Sequence, residues 1–277
     1  MTILAVGAAG KFAGLVVPAL AARGAHVRGL IRKPEQAEQV KNAGAAEVTI
    51  GDLQDPASLD AALHRVEAVF YIAPAFLPEE ASVGARFLGA AIRAGVRRFV
   101  FSAVIHPVLT SLPHHAAKIA VEAAVLNSGL EYTFLHPALY FQNYARFWPG
   151  IVKTGILAEP WSIDTRFSRV DYRDVAEVAA IALTEDKLLD GTFELCAPGT
   201  LNRREVAALI SKVIGREIKV ERRDPAALGS IPENMKTMFQ HYDRHGLMGN
   251  PLTLRAILGR EPRSLEAYFQ EFAAGTP

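Results

Sequence analysis

An apolar run, Thr2-Ile3-Leu4-Ala5-Val6, breaks straight into Gly7-Ala8-Ala9-Gly10-Lys11-Phe12-Ala13-Gly14. A strand that turns on small residues into a helix leaves few folds open. Tight turning needs residues without a bulky Cβ, and close approach of the backbone to a pyrophosphate needs the same. Free N–H groups at the helix start then face the anion. The spacing is G-x-x-G-x-x-A rather than G-x-G-x-x-G, and the strand–turn–helix setting is what gives such a loop meaning. A tight turn with no ligand is the alternative. Gly7, Ala9, Gly10, Lys11 and Phe12 are the first candidates for contact with a dinucleotide.

The same rhythm continues for the first half of the chain. Thr2–Val6, His26–Ile31, Glu47–Ile50, Ala68–Ala73, Arg98–Ser102 and Tyr132–His136 read as strands. Lys11–Arg23, Pro34–Ala43, Pro56–Leu63, Glu79–Ala94 and His114–Ser128 read as helices, four of them closed by Gly24, Gly44, Gly95 and Gly129. Nearly all-apolar strands alternating with helices imply right-handed crossovers and a parallel sheet covered on both faces. The expected fold is α/β, a Rossmann-type doubly wound parallel sheet with a smaller C-terminal substrate lobe. Such sheets bind ligands at the carboxyl ends of their strands.

The second half breaks the rhythm. Trp148–Phe167, with Pro149, Gly150, Gly155 and Pro160, reads mostly as loop. Val175–Thr184 reads as a helix with Asp174 as N-cap, and Asn202–Ile214 as one with Asn202 as cap and Glu205 three residues on. Thr192–Cys196 and Ile218–Arg222 are strand-like, and Pro232–His245 and Ser264–Phe272 helical. Residues 1–150 are expected to form the dinucleotide-binding domain, and 151–277 a lobe interleaved with it.

Lys+Arg is 30 and Asp+Glu is 29, which argues against nucleic-acid binding through a basic face. One cysteine allows no internal disulfide and no cysteine-rich zinc site, and suggests a reducing compartment. No leader or membrane-length apolar run is visible, so no membrane association and a cytoplasmic location are expected. No metal is expected either. His241 and His245 flank Asp243 but lack the Glu of H-E-x-x-H, and His106, His114 and His115 have no carboxylate nearby in sequence. Cys196, in an apolar run, reads as an inert core thiol. Neither a G-x-S-x-G elbow nor a G-x-x-x-x-G-K-[ST] loop is present.

The other strand ends carry the remaining candidates. The second strand ends in Arg32-Lys33 with no carboxylate at that point. Arg suits the 2′-phosphate of NADP, where Asp or Glu would suit the ribose of NAD. NADP(H) is therefore expected over NAD(H), against the plainer reading of a solvated basic strand end. Asp52-Leu53 follows the third strand and can receive the adenine edge and face, unless Asp52 caps the next helix in competition with Asp55. Ala73-Pro74 after the fourth strand leaves room for a ribose against the backbone, although a simple loop explains it nearly as well. Ser102 ends the fifth strand. His114 and Lys118 follow four apart, on one helix face. Lys118 sits among Ala116, Ala117, Ile119 and Ala120. A buried ammonium there needs a partner, a ribose diol or a polar neighbour, and an outward-facing lysine is the other reading.

Taken in order, these residues resemble the NmrA-like family of atypical short-chain dehydrogenases/reductases. The Gly7/Gly10/Ala13 loop, Arg32, Gly51-Asp52-Leu53, the segment HHAAKIAVEAAVLNSGLEYTFLHP, Tyr140-Phe141-Gln142-Asn143 and Val170-Asp171-Tyr172-Arg173-Asp174-Val175-Ala176 carry the resemblance, which runs to about residue 184. It implies a Rossmann fold, NAD(P) binding, and reduction of quinones or similar electrophiles in catalytic relatives. Other relatives bind the dinucleotide and act as redox-responsive regulators. By resemblance Lys118 holds the nicotinamide ribose, Ser102 and His114 stand at the Ser and Tyr of the usual catalytic set, and Pro137 packs by the nicotinamide. His136 stands where relatives often carry Arg.

His in place of Tyr argues against ordinary alcohol–ketone chemistry, although a histidine with a reference pKa near 6.5 can still donate a proton. Tyr140, Phe141 and Tyr144 are aromatic candidates for an apolar substrate pocket, with Asn143 beside them, and packing on the lobe accounts for at least one of the three rings. The expected function is an NADPH-dependent oxidoreductase passing hydride to a small planar electron-poor substrate such as a quinone. The alternative is a non-catalytic NADP(H) sensor acting through a protein partner. A homodimer through helices Glu79–Ala94 and His114–Ser128 is compatible with either.

Overall fold

The computed structural model describes residues 1–275, so the last two positions of the lobe expected over 151–277 lie outside the described residues. Strands β1 (Thr2–Val6), β2 (His26–Ile31), β3 (Glu47–Ile50), β4 (Ala68–Tyr71), β5 (Arg98–Ser102) and β6 (Glu131–Pro137) alternate with helices α1 (Val16–Ala21), α2 (Ala37–Asn42), α3 (Pro56–Leu63), α4 (Glu80–Arg93) and α5 (Pro113–Leu126). Later come α6 (Trp148–Thr154), β7 (Leu139–Tyr140, before it), β8 (Ile156–Glu159), β9 (Arg169–Val170), α7 (Tyr172–Thr184) and β10 (Gly191–Leu195). The chain ends with α8 (Arg203–Ile214), β11 (Lys219–Arg222), α9 (Glu233–His245), α10 (Leu252–Leu258) and α11 (Leu265–Ala273).

The main sheet has seven strands in the order β10-β6-β5-β4-β1-β2-β3. The β1–β2, β2–β3, β1–β4, β4–β5 and β5–β6 pairings are all parallel. Strands β2 and β3 build outward on one side of β1, and β4, β5 and β6 on the other. The order therefore reverses beside β1, and the carboxyl ends of β1 and β4 flank the crevice where such sheets take ligands. Leu4, Val6, Val69, Phe99, Phe101 and Phe134 from the strands meet Leu63, Phe87, Leu88, Val121 and Val125 from the helices in one buried core.

Two compact units divide the chain. The first contains residues 1–136 and 175–193; the second contains 137–174 and the chain from 194 onward. The chain leaves the main sheet at the end of β6 and returns to it at β10. In the second unit β8 pairs with β11 and β7 with β9, each pair parallel. Its core gathers Phe141, Tyr144, Trp148, Leu157, Ile210, Tyr268 and Phe269, with Trp148 stacked on Phe269 at 5.6 Å. Among the described residues no helix is long and apolar enough to cross a membrane.

Three sequence expectations change. The helix expected from Lys11 is a turn to Phe12, a 3-10 turn over Ala13–Leu15, and then α1. Pro18 has no N–H to give the preceding turn, so the α-helix begins at Val16 and holds Pro18 in its first turn. The loop expected over Trp148–Phe167 contains α6 and β8. Pro149 lies in the first turn of α6, where its missing N–H costs nothing, and Gly155 closes the helix at φ +72°. Asp174 does not cap α7, which starts at Tyr172; the Asp171 carboxylate accepts the Arg173 N–H at 2.9 Å. Asp174 is instead fully buried and accepts from Arg260 at 2.8 Å and from Arg263.

Helices α4 and α5 meet at Gly84, where an added Cβ would lie 2.5 Å from Val121 Cγ2. Gly84→Ala gains up to about 1 kcal/mol of helix propensity but overpacks the contact at a cost of about 1–3 kcal/mol. Denaturant melts should therefore show Gly84→Ala destabilising the wild type and stabilising the Val121→Ala background. Stabilisation in both backgrounds would contradict this packing.

Candidate functional site

Gly7 lies at φ +71°, in the left-handed region that favours glycine. The Gly10 N–H donates back to the Gly7 carbonyl at 2.7 Å. A Cβ on residue 10 would sit 2.9 Å from that same oxygen. The Ala8 N–H donates to the Leu30 carbonyl at 3.1 Å, tying the turn to β2. The backbone itself thus requires both glycines. Gly10 and Lys11 are exposed, Ala9 and Phe12 half-exposed, and the Lys11 ammonium lies 5.7 Å from the Phe12 ring centre. Accessible backbone, a cradle that a Cβ would fill, and an adjacent cation fit a phosphate diester.

Arg32, just past β2, is 75% exposed and donates to Asp52 Oδ2 at 3.2 Å. Asp52 follows β3, so two strand-end residues distant in sequence meet. The competition for the cap of α3 goes to Asp55, which accepts the Ala57 N–H at 3.1 Å. Asp52 Oδ1 accepts the Gln54 N–H at 2.9 Å, and its own N–H donates to Ser58 Oγ at 3.0 Å. Lys33 is exposed, and Leu53 is half-buried against the core.

Beyond β4, Ala73 is buried and Pro74 exposed. Phe76 at φ +56° and Glu79 at φ +55° are both left-handed without being glycine, a strain of roughly 1–2 kcal/mol each. The Phe76 ring lies 5.4 Å from that of His114, which is half-exposed in the first turn of α5. His115 behind it is fixed by the His106 carbonyl, 2.9 Å from Nδ1. Ser102 ends β5 fully buried.

Lys118 faces inward. Its ammonium donates to the carboxylate of Glu80, the first residue of α4, and the two residues are 9% and 4% exposed. Removing one partner of such a buried pair costs about 3–5 kcal/mol. Nothing in the sequence singles out Glu80, because a glutamate opening a helix is an ordinary first-turn acid. Among the described residues the Tyr71 hydroxyl, buried nearby, has no hydrogen-bond partner. Burial, and then the Glu80 charge, push its pKa up. One turn beyond Lys118, Glu122 Oε1 lies 2.7 Å from His136 Nε2.

In the second unit, Pro137 is buried at the end of β6. Tyr140 is half-buried, edge-on to Tyr172 at 4.8 Å, and burial pushes its hydroxyl pKa up. Asn143 is exposed. Phe141 is 1% exposed and packs 5.6 Å from Tyr268, so this ring serves the core rather than a pocket. Gln142, between them, is buried, donating to Asp171 at 2.8 Å and accepting the Tyr172 N–H at 2.9 Å. A pocket of about 380 Å³ is lined by Tyr144, Arg146, Phe147, Ile151 and Leu157 among others, but not by Tyr140 or Phe141. Of the three aromatics expected to share one pocket, Phe141 and Tyr144 belong to one buried core, and of the three only Tyr144 lines this pocket.

A sequence profile of the NmrA-like family matches residues 1–272. This chain belongs to the NmrA-like family. It is 29% identical over 287 residues to an NAD(P)H azoreductase of Xenophilus azovorans, covering 98% of each chain. It is 34% identical over 223 residues to a (4-alkanoyl-5-oxo-2,5-dihydrofuran-3-yl)methyl phosphate reductase of Streptomyces griseus, covering 79% of this chain and 76% of that one. Among solved structures it is similar to the NADPH-dependent quinone oxidoreductase of Escherichia coli complexed with NADPH, with a TM-score of 0.84 at 22% identity over 98% and 99% of the two chains. The Rossmann fold read from the alternating strands is thus shared with that solved structure.

Gly10→Val places a side chain where even a Cβ is too close, so titration of nucleotide fluorescence should show NADPH binding abolished. An unchanged affinity would remove the turn from the site. Cys196 is fully buried, and burial with the nearby Glu194 carboxylate pushes its thiol pKa up to about 12. It should resist iodoacetamide at pH 8 until urea unfolds the chain; rapid native labelling would contradict its burial.

Proposed function

We propose that this protein is an NADPH-preferring reductase that delivers hydride to a small, planar, electron-poor acceptor such as a quinone. The observation that carries the reading is the glycine turn at the strand-order reversal, with the exposed Arg32 guanidinium at the neighbouring strand end. The names of the azoreductase and of the quinone oxidoreductase support the same chemistry.

In this reading the backbone of Gly7, Ala9, Gly10, Lys11 and Phe12 takes the pyrophosphate. Arg32, with Lys33 beside it, takes the 2′-phosphate, and its pairing with Asp52 holds the guanidinium ready at the strand end. Asp52 and Leu53 receive the adenine, and Ala73 and Pro74 leave the backbone open to a ribose. Lys118 holds the nicotinamide ribose, with Ser102 at the end of the adjoining strand. The bound dinucleotide supplies the hydride. His114 can hand over a proton from its ring, a lesser demand for a quinone than for a ketone. In the second unit, Tyr140 and Asn143 are the residues assigned to the acceptor.

The test follows nicotinamide absorbance on mixing the protein with NADPH and a panel of quinones. Acceptor-dependent oxidation is expected, with kcat/KM reduced at least tenfold in Lys118→Ala. NADPH binding without oxidation by any acceptor would overturn the reductase reading and favour an NADP(H) sensor. Arg32→Ala should lower the NADPH/NADH affinity ratio about tenfold, the worth of one charge-assisted hydrogen bond. An unchanged ratio would exclude Arg32 as the 2′-phosphate ligand.

A further inference from the structure

We propose that Glu80 is the positioning residue for Lys118, and that the β4–α4 loop exists in its strained form to deliver it. This rests on the reading of Lys118 as the ligand of the nicotinamide ribose. The pair is a poor device for merely joining two helices. Helices α4 and α5 already touch through Gly84 and Val121 with no room for another methyl group. An apolar pair of similar volume would join them at least as well as a buried ion pair.

The charges are instead arranged around Lys118. Glu80 opens α4, where the helix N-terminus favours a carboxylate. It reaches that position because Glu79, immediately before it, adopts φ +55°. Phe76, the other left-handed residue of the same loop, sets its ring against His114, one turn before Lys118. The loop, through Phe76, and the helix start that it leads into, through Glu80, therefore contact both α5 residues assigned to the nicotinamide end. Strain of this kind persists where the surrounding structure over-determines it, and it clusters at functional sites. The Glu80 carboxylate satisfies the ammonium before a ligand arrives and restricts where its remaining donors can point.

The experiment compares NADPH with 2′,5′-ADP, which lacks the nicotinamide ribose, in wild type, Glu80→Gln, Glu80→Asp, Lys118→Met and the Glu80→Gln/Lys118→Met double variant. Glu80→Gln should weaken NADPH about tenfold and leave 2′,5′-ADP within twofold of wild type. Glu80→Asp, which keeps the charge but shortens the side chain by one methylene, should keep a smaller yet measurable loss, again confined to NADPH. In the Lys118→Met background, Glu80→Gln should have no further effect on NADPH. Equal losses for both ligands, or no loss for NADPH, would overturn the proposal. So would a selective loss in Glu80→Gln that Lys118→Met does not share. If Glu80→Gln does not fold, Glu80→Asp carries the test through the same ligand ratio: a loss confined to NADPH supports the proposal, and an equal loss for both ligands or none overturns it. Failure of the underlying reading looks different, since wild type would then bind neither ligand, or Lys118→Met would bind NADPH normally.

Discussion

At the turn after β1 the backbone passes so close to itself that residue 10 has no room for a Cβ, which would lie 2.9 Å from the Gly7 carbonyl. The rest of the carboxyl edge depends on this approach. It lets the chain leave β1, bond back to β2 through Ala8 and Leu30, and enter its first helix within a few residues. Strand order reverses at β1. Backbone groups are thus left accessible at the point where two loops diverge, the usual place for a phosphate in a doubly wound sheet.

Charge is placed around this edge in two ways. Arg32 and Asp52 form an exposed pair, cheap to open and worth little to stability. Lys118 and Glu80 form a buried pair, costly to break from either side. The first suits a group that must exchange one anionic partner for another. The second suits a group that must stay put. The strained loop carrying Phe76 and Glu79 belongs to the same arrangement, because it links the end of β4 to the helix face bearing His114 and Lys118.

Much of the first unit was legible because local patterns and tertiary packing agree there. The expected limits of β3, α3 and β5 match those observed, since each is a short apolar or capped segment bounded by turn residues. Legibility failed where one residue type has two meanings. Pro149 and Gly155 read as loop but are the start and stop of α6, and Pro18 shortened a helix that periodicity extended to Lys11. It failed again where a role is set across the fold. Asp174 reads as a cap until Arg260 and Arg263 are seen on it. Glu80 stands 38 residues from Lys118, and helical spacing marks a face without naming what lies opposite. Phe141 is one of three aromatics within five residues, and only its packing on Tyr268 shows that its ring is buried in the core.

Backbone amide hydrogen exchange with and without saturating NADPH tests the nucleotide site most directly. Slowed exchange is expected at residues 7–12, 32–33 and 52–53, which follow β1, β2 and β3. Protection that leaves these segments unchanged and appears elsewhere would contradict it, whatever the affinity of the protein for the nucleotide.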